Sequence, residues 1–158
     1  FKAELVEAIS PKYFNNKKKT TSLLSVSSIL NLLLPESQPY KNLFTSLEIF
    51  LKKLDQENWA VNYVYWELNL LKELGFDPFL EQFSKNIDEN VNYKIIEIDN
   101  VRYQVPNFLL KKKIDVAIDS KNLSTALSFT RNLLSNKFFL PNNLTFPKAR
   151  ILLENYFN

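Results

Sequence analysis

The residues able to do chemistry in this chain are mostly cations. Lys111-Lys112-Lys113, Lys137, Lys148 and Arg150 lie toward its C-terminal end, and Lys17-Lys18-Lys19 form a second cluster near its start. Ammonium and guanidinium groups neutralise nucleic-acid phosphates and release condensed counterions, a mode of binding that ignores base sequence. Lys137, Lys148 and Arg150 bracket one expected helix-helix loop, so with Lys111 to Lys113 they are the DNA-contact candidates. The alternative for any lysine run is a solvated face, and for Lys17 to Lys19 that is the simpler reading. A ring stacks on a base as readily as it fills a core. Tyr63, Tyr65, Trp66, Phe76, Phe79, Phe83, Phe138, Phe139, Tyr156 and Phe157 are therefore either stacking platforms or, more simply, core. Phe138-Phe139 is the exception, because adjacent residues at a helix end do not both face inward.

Acid-base chemistry is poorly provided for. Glu67 and Glu73 lie six apart and point to different sides of a helix, so they make no carboxylate pair. The chain has no histidine and no cysteine, which removes the commonest neutral base, thiolate metal ligands and any disulfide framework. Gly-rich phosphate loops are excluded too, because Gly75 is the only glycine. The reading is a non-enzymatic protein without cofactor or metal.

Helices must position these groups. Hydrophobic residues at 46% and aromatics at 14% exclude a disordered chain. One glycine, against a usual share of about 7%, argues against β-sandwiches. Helical spacing predicts helices from Thr20 or Thr21 to Leu34, Tyr40 to Asp55, Glu57 to Leu74, Pro78 to Ser84, Leu123 to Phe138 and Pro147 to Phe157. Pro35 to Pro39 breaks the first from the second, Asn122 or Ser120 caps the fifth, and Asn107 to Lys113 forms a short helix or turn. In the third helix Trp59, Tyr63, Trp66, Leu70, Leu71 and Leu74 share an apolar face, and Gly75 takes the left-handed position after its end. Asp77-Pro78 restarts the chain as N-cap and first helical residue. Tyr93 to Ile98 and Val101 to Val105 are β-rich and flank Asp99-Asn100, a two-residue hairpin turn. The fold class is mainly α, an antiparallel helical bundle with one small embedded β-hairpin at about 93–105.

Three stretches resemble the RecO family of recombination mediator proteins, in order and at similar spacing. Trp66-Glu67-Leu68-Asn69-Leu70-Leu71-Lys72-Glu73-Leu74-Gly75-Phe76 is similar to an aromatic-Glu-Leu helix closed by Gly-aromatic. Leu32-Leu33-Leu34-Pro35-Glu36, followed by Asn42-Leu43-Phe44, lies upstream. Phe129-Thr130-Arg131-Asn132-Leu133-Leu134, then Phe146-Pro147-Lys148-Ala149-Arg150, lies downstream. The resemblance makes 15–158 a RecO-like C-terminal helical domain and 1–14 the remnant of, or linker from, a missing N-terminal OB-type barrel. Phe1, without a methionine, fits a fragment of a longer protein. Many family members carry a zinc insert beginning Cys-x-x-Cys; alignment on Gly75 puts Phe83 and Asn86 at those positions.

The resemblance implies a DNA repair and recombination mediator that binds single- and double-stranded DNA and promotes strand annealing and recombinase loading. It further implies contacts with RecR and with the acidic-hydrophobic tail of single-stranded-DNA-binding protein. Such a tail needs an apolar pocket with a basic rim, for which Arg131, Lys52, Lys53 and Lys72 are the candidates. Some members carry arginines just before the aromatic-Glu-Leu, where this chain has Val64 and Tyr65. Glu67 is expected to pair with a basic residue inside the molecule. No apolar run approaches the roughly 20 residues of a membrane span and no signal peptide is visible, so the expected location is cytoplasmic, with the nucleoid. Basic groups exceed acidic ones in 1–53 and 111–158, and acidic ones prevail between; this polarity suits an anionic partner on one side and a protein on the other. The alternative is a helical protein-interaction scaffold without nucleic-acid binding.

Overall fold

The computed structural model describes residues 10–34, 40–112 and 118–158. The expectations for Phe1 to Ile9, for the break from Pro35 to Pro39 and for Lys113 lie outside the described residues.

A 3-10 turn at Ser10–Tyr13 precedes helix α1 (Lys17–Leu33). Asn16 caps α1, its side chain accepting from the Lys19 N–H at 3.1 Å, since the first helical turn leaves N–H groups without partners. The helix therefore starts earlier than the predicted Thr20 or Thr21. The lysine triplet is the first helical turn, and the Thr20 hydroxyl donates to the Tyr13 carbonyl at 2.6 Å. Helices α2 (Lys41–Lys52) and α3 (Trp59–Glu73) follow. They are shorter than their periodicity predicts because turns at Lys53 to Asn58 separate them. Strands β1 (Tyr93–Ile98) and β2 (Val101–Pro106) pair antiparallel, with Ile98 opposite Val101 and Tyr93 opposite Pro106. Asp99 and Asn100 have φ of 51° and 65°, the two left-handed residues that a type I′ turn requires. Helices α4 (Asn107–Leu110), α5 (Ser120–Leu134) and α6 (Lys148–Asn155) complete the chain, with a π-turn at Ser135–Phe139 after α5. Asp119, rather than Ser120 or Asn122, caps α5; its carboxylate accepts from the Asn122 N–H at 2.8 Å. The fold is mainly α with a small hairpin, and no described helix is long and apolar enough to cross a membrane.

Two compact units are present among the described residues, 10–34 with 134–158 and 40–133. In the first, α1 packs on α6 and buries Leu23, Val26, Ile29, Leu30, Phe139 and Leu153. Phe139 is buried whereas Phe138 is only partly so, the division expected of neighbours at a helix end. Lys18 lies 5.0 Å from the Phe157 ring centre and Lys19 5.4 Å from that of Tyr13, so cation-π contact occupies part of the triplet.

The second unit is organised around α3. Trp59, Ala60, Val61, Tyr63, Val64, Trp66, Leu68, Leu70 and Leu71 are all buried. These residues point in every direction from the axis, so the single apolar face read from the sequence is too narrow: a helix apolar all round is a core helix. Phe50 of α2 meets Tyr63 edge-on at 5.6 Å, and Tyr103 of β2 meets Phe129 of α5 at 5.8 Å. Glu67, fully buried, accepts from the Tyr63 hydroxyl at 3.2 Å and the Thr130 hydroxyl at 2.7 Å, because a carboxylate taken from water needs donors around it.

Gly75 closes α3. Its N–H bonds the Lys72 carbonyl and the Phe76 N–H bonds the Leu71 carbonyl, both at 2.9 Å, the Schellman pattern with Gly75 left-handed at φ 97°. A Cβ there would meet nothing within 4 Å, so the strain of a substitution is purely conformational. The segment after it departs from the sequence reading. Instead of a helix from Pro78 capped by Asp77, a 3-10 turn begins at Leu80–Phe83, because Phe79 adopts φ 49°, ψ 50°. Gly75→Val should lower stability by about 1–3 kcal/mol, since a β-branched residue resists positive φ; urea denaturation measures this, and an unchanged midpoint would refute it.

Candidate functional site

Within the 40–133 unit a cavity of 790 Å³ opens between α2, α3 and the segment after Gly75. Helix α2 contributes Ser46, Ile49 and Phe50, and Lys53 follows it; α3 contributes Tyr65, Trp66, Asn69 and Lys72. The third wall is Asp77 to Gln82, with Leu109 and Lys112 from the end of α4. Helical geometry explains the first two walls. Ile49 and Lys53 lie four apart, as do Tyr65 and Asn69, so each pair covers one face.

The rim carries charge of both signs. Lys72 lies 3.6 Å from Asp77, and Lys112 pairs with Glu81. The Lys112 hydrogen bond and positive charge hold the Glu81 carboxyl below its usual pKa. Lys53 has no carboxylate partner among the described residues. Deeper in, the Tyr65 hydroxyl and the Trp66 indole N–H are buried without a hydrogen-bond partner. Burial pushes the Tyr65 pKa from 10.0 to about 12, so this hydroxyl stays protonated at neutral pH. The cavity therefore combines apolar walls with a slight excess of positive charge at its rim; it suits an apolar group joined to an anion. Nothing in it arranges a nucleophile beside a base.

The predicted partner-binding residues divide. Lys53 and Lys72 line the cavity and Lys52 and Arg131 do not. Lys52, exposed, is one position from Lys53 and so about 100° around the helix; Arg131 lies on α5. Of the DNA-contact candidates, Lys111 pairs with Glu89 and Lys112 belongs to the cavity rim. Lys137 is half-buried and Lys148 exposed. Arg150 requires a correction: its side chain is fully buried, with Glu154 at 3.5 Å one helical turn on. Its helix packs on α1, and a buried guanidinium is retained only when paired.

Sequence reasoning misses Tyr65, Ile49 and Phe79 as cavity residues. Periodicity groups Phe79 with the core aromatics, yet it is 65% exposed. A signal is present in Asp77-Pro78 beside a bulky residue, but the left-handed turn that exposes the ring cannot be read from it. A family-type zinc does not fit. Phe83 and Asn86 supply no thiolate, and the Lys94 ammonium donates to the Phe83 carbonyl at 3.2 Å and to the Lys85 carbonyl at 3.0 Å. A cation already ties this loop.

Comparison with known proteins points one way. The family model described as "Recombination protein O C terminal" matches residues 16–143. A DNA repair protein RecO from Wolbachia sp. subsp. Drosophila simulans (strain wRi) is 28% identical, over 97% of this chain and 71% of the relative. The protein of that name from Rickettsia felis is 24% identical, over 99% and 70%, and that from Ehrlichia chaffeensis is 31% identical, over 59% and 39%. No solved structure matches at a significant level.

Tyr65 gives a test of the cavity wall. Burial penalises the phenolate and raises the folded pKa, so the hydroxyl imposes no pH-dependent loss of stability below the ordinary value of 10.0, and stability falls as pH rises from there toward about 12. Tyr65→Phe should abolish that part of the alkaline loss while leaving neutral-pH stability unchanged or higher, because it removes an unpaired buried hydroxyl. Denaturation curves of both proteins at neutral and alkaline pH report this; parallel alkaline losses would show that the hydroxyl is hydrated.

Proposed function

The chain belongs to the RecO family of DNA repair proteins, as its C-terminal region, and we propose that it works by docking the acidic-hydrophobic tail of single-stranded-DNA-binding protein in the cavity of the 40–133 unit. The observation that supports this reading most is the cavity's composition: Ile49, Trp66 and Phe79 for an apolar side chain, and Lys53, Lys72 and Lys112 for carboxylates. Incoming carboxylates meet Lys53 directly and compete with Asp77 and Glu81 for the other two lysines, giving an interaction that is reversible and salt-sensitive. Kinship extends the proposal to RecR, strand annealing and recombinase loading, all steps of binding and exchange rather than bond-making.

Fluorescence anisotropy of a labelled peptide of aspartates ending in phenylalanine with a free carboxylate tests the docking. Lys53→Glu should weaken binding severalfold more than Lys52→Glu, because only Lys53 lines the cavity. Equal effects would mean that the peptide senses net charge and not this site.

Direct DNA contact is a separate part of the proposal and falls to Lys148, exposed on α6, with Lys137. Lys137→Ala/Lys148→Ala should weaken binding of a single-stranded oligonucleotide equally for different sequences. It should also lower the slope of log affinity against log salt by about 0.7 for each phosphate no longer neutralised. An unchanged slope would assign DNA binding elsewhere, and the protein-interaction reading would then account for the whole domain.

A further inference from the structure

Phe79 is held in an unfavourable conformation and gains little burial in return. Its φ of 49° and ψ of 50° are left-handed, a region that bulky L-residues avoid. Its ring is 65% exposed, so core packing does not explain the geometry. The local device is visible: the Asp77 carboxylate accepts from the Phe79 N–H at 2.8 Å, the Phe79 carbonyl accepts from the Gln82 N–H at 3.1 Å, and the intervening Pro78 is buried and rigid. The ring lines the same cavity as Ile49, itself 49% exposed, so two uncovered apolar side chains stand at one opening. Strain of this kind persists where the surrounding structure enforces it, and it concentrates at ligand clamps.

We propose that Phe79 is the specificity-determining aromatic of the cavity, packing on the terminal apolar side chain of the docked tail, and that Asp77 is the residue that positions it. This rests on the tail-docking reading. Charge complementarity names the occupant: Lys53 is unpaired among the described residues, and the rim sets Lys53, Lys72 and Lys112 against only Asp77 and Glu81, an excess of positive charge that suits the tail's carboxylates. Asp77 thus has two contacts, its Oδ1 fixing the Phe79 turn and its Oδ2 lying 3.6 Å from Lys72.

Two variants separate recognition from folding. Phe79→Gly deletes the ring at a backbone conformation that glycine adopts freely, so the melting temperature should hold or rise while affinity for the aspartate peptide ending in phenylalanine falls about tenfold, as for loss of an aromatic hot spot. Preference for that peptide over one ending in alanine should collapse. Asp77→Ala should also weaken binding, whereas Asp77→Asn, which keeps an oxygen acceptor for the Phe79 N–H, should restore it to the parent level or above, since the rim loses a negative charge. Parent-like affinity and preference in Phe79→Gly would overturn the role of the ring, and an Asp77→Asn defect matching that of Asp77→Ala would overturn the positioning role. Failure of the unmodified protein to bind the peptide at all would instead overturn the docking reading, and this inference with it.

Discussion

Burial of α3 on nearly all sides is the constraint on which the 40–133 unit depends. A helix carrying Trp59, Tyr63, Trp66, Leu70 and Leu71 removes much apolar area from water, at roughly 25 cal/mol per Å². It also takes the polar groups between them out of water. Glu67 is the severest case, and hydroxyls from Tyr63 and from Thr130 of α5 supply the donors it needs. That arrangement fixes the rotation of α3 about its axis, since a small turn would leave a buried carboxylate without them.

The cavity follows from the same rotation. With Tyr63 and Glu67 turned inward, Tyr65, Asn69 and Lys72 fall on the side where α2 and the segment after Gly75 leave space. The Schellman turn then sends the chain back along the cavity edge, bringing Asp77 to Gln82 in as its third wall. Structure and binding surface therefore share one origin: a core helix long enough to be buried at Trp66 and still to reach solvent at Lys72.

The hairpin region shows a similar economy. The loop before β1 is held by the Lys94 ammonium on two carbonyls and by the Asn107 amide on the Asp88 and Val91 carbonyls. Hydrogen bonds from a charged group are among the stronger ones. In the other unit, cations are likewise drawn into structure, with Arg150 beside Glu154 and Lys18 over Phe157. Formal charge on the sequence overstates what is left for DNA.

Much of the architecture is legible from local rules. The spacing of Trp66, Leu70 and Leu71, the lone Gly75 and the Asp99-Asn100 turn each act through neighbours in sequence, so helix, stop and hairpin can be read directly. The family is legible too, in the order of three motifs. What only the tertiary structure decided was the fate of individual side chains: Arg150 turned inward, Lys17 to Lys19 drawn into a helix, Lys53 separated from Lys52 by one helical step, and Phe79 exposed rather than buried. These depend on which face meets another element and on hydrogen bonds such as that from the Phe79 N–H to Asp77. Periodicity gives a helix its shape, but it does not say how many sides will be covered. That is set by residues far apart in the chain, and the candidate site lies where the covering stops.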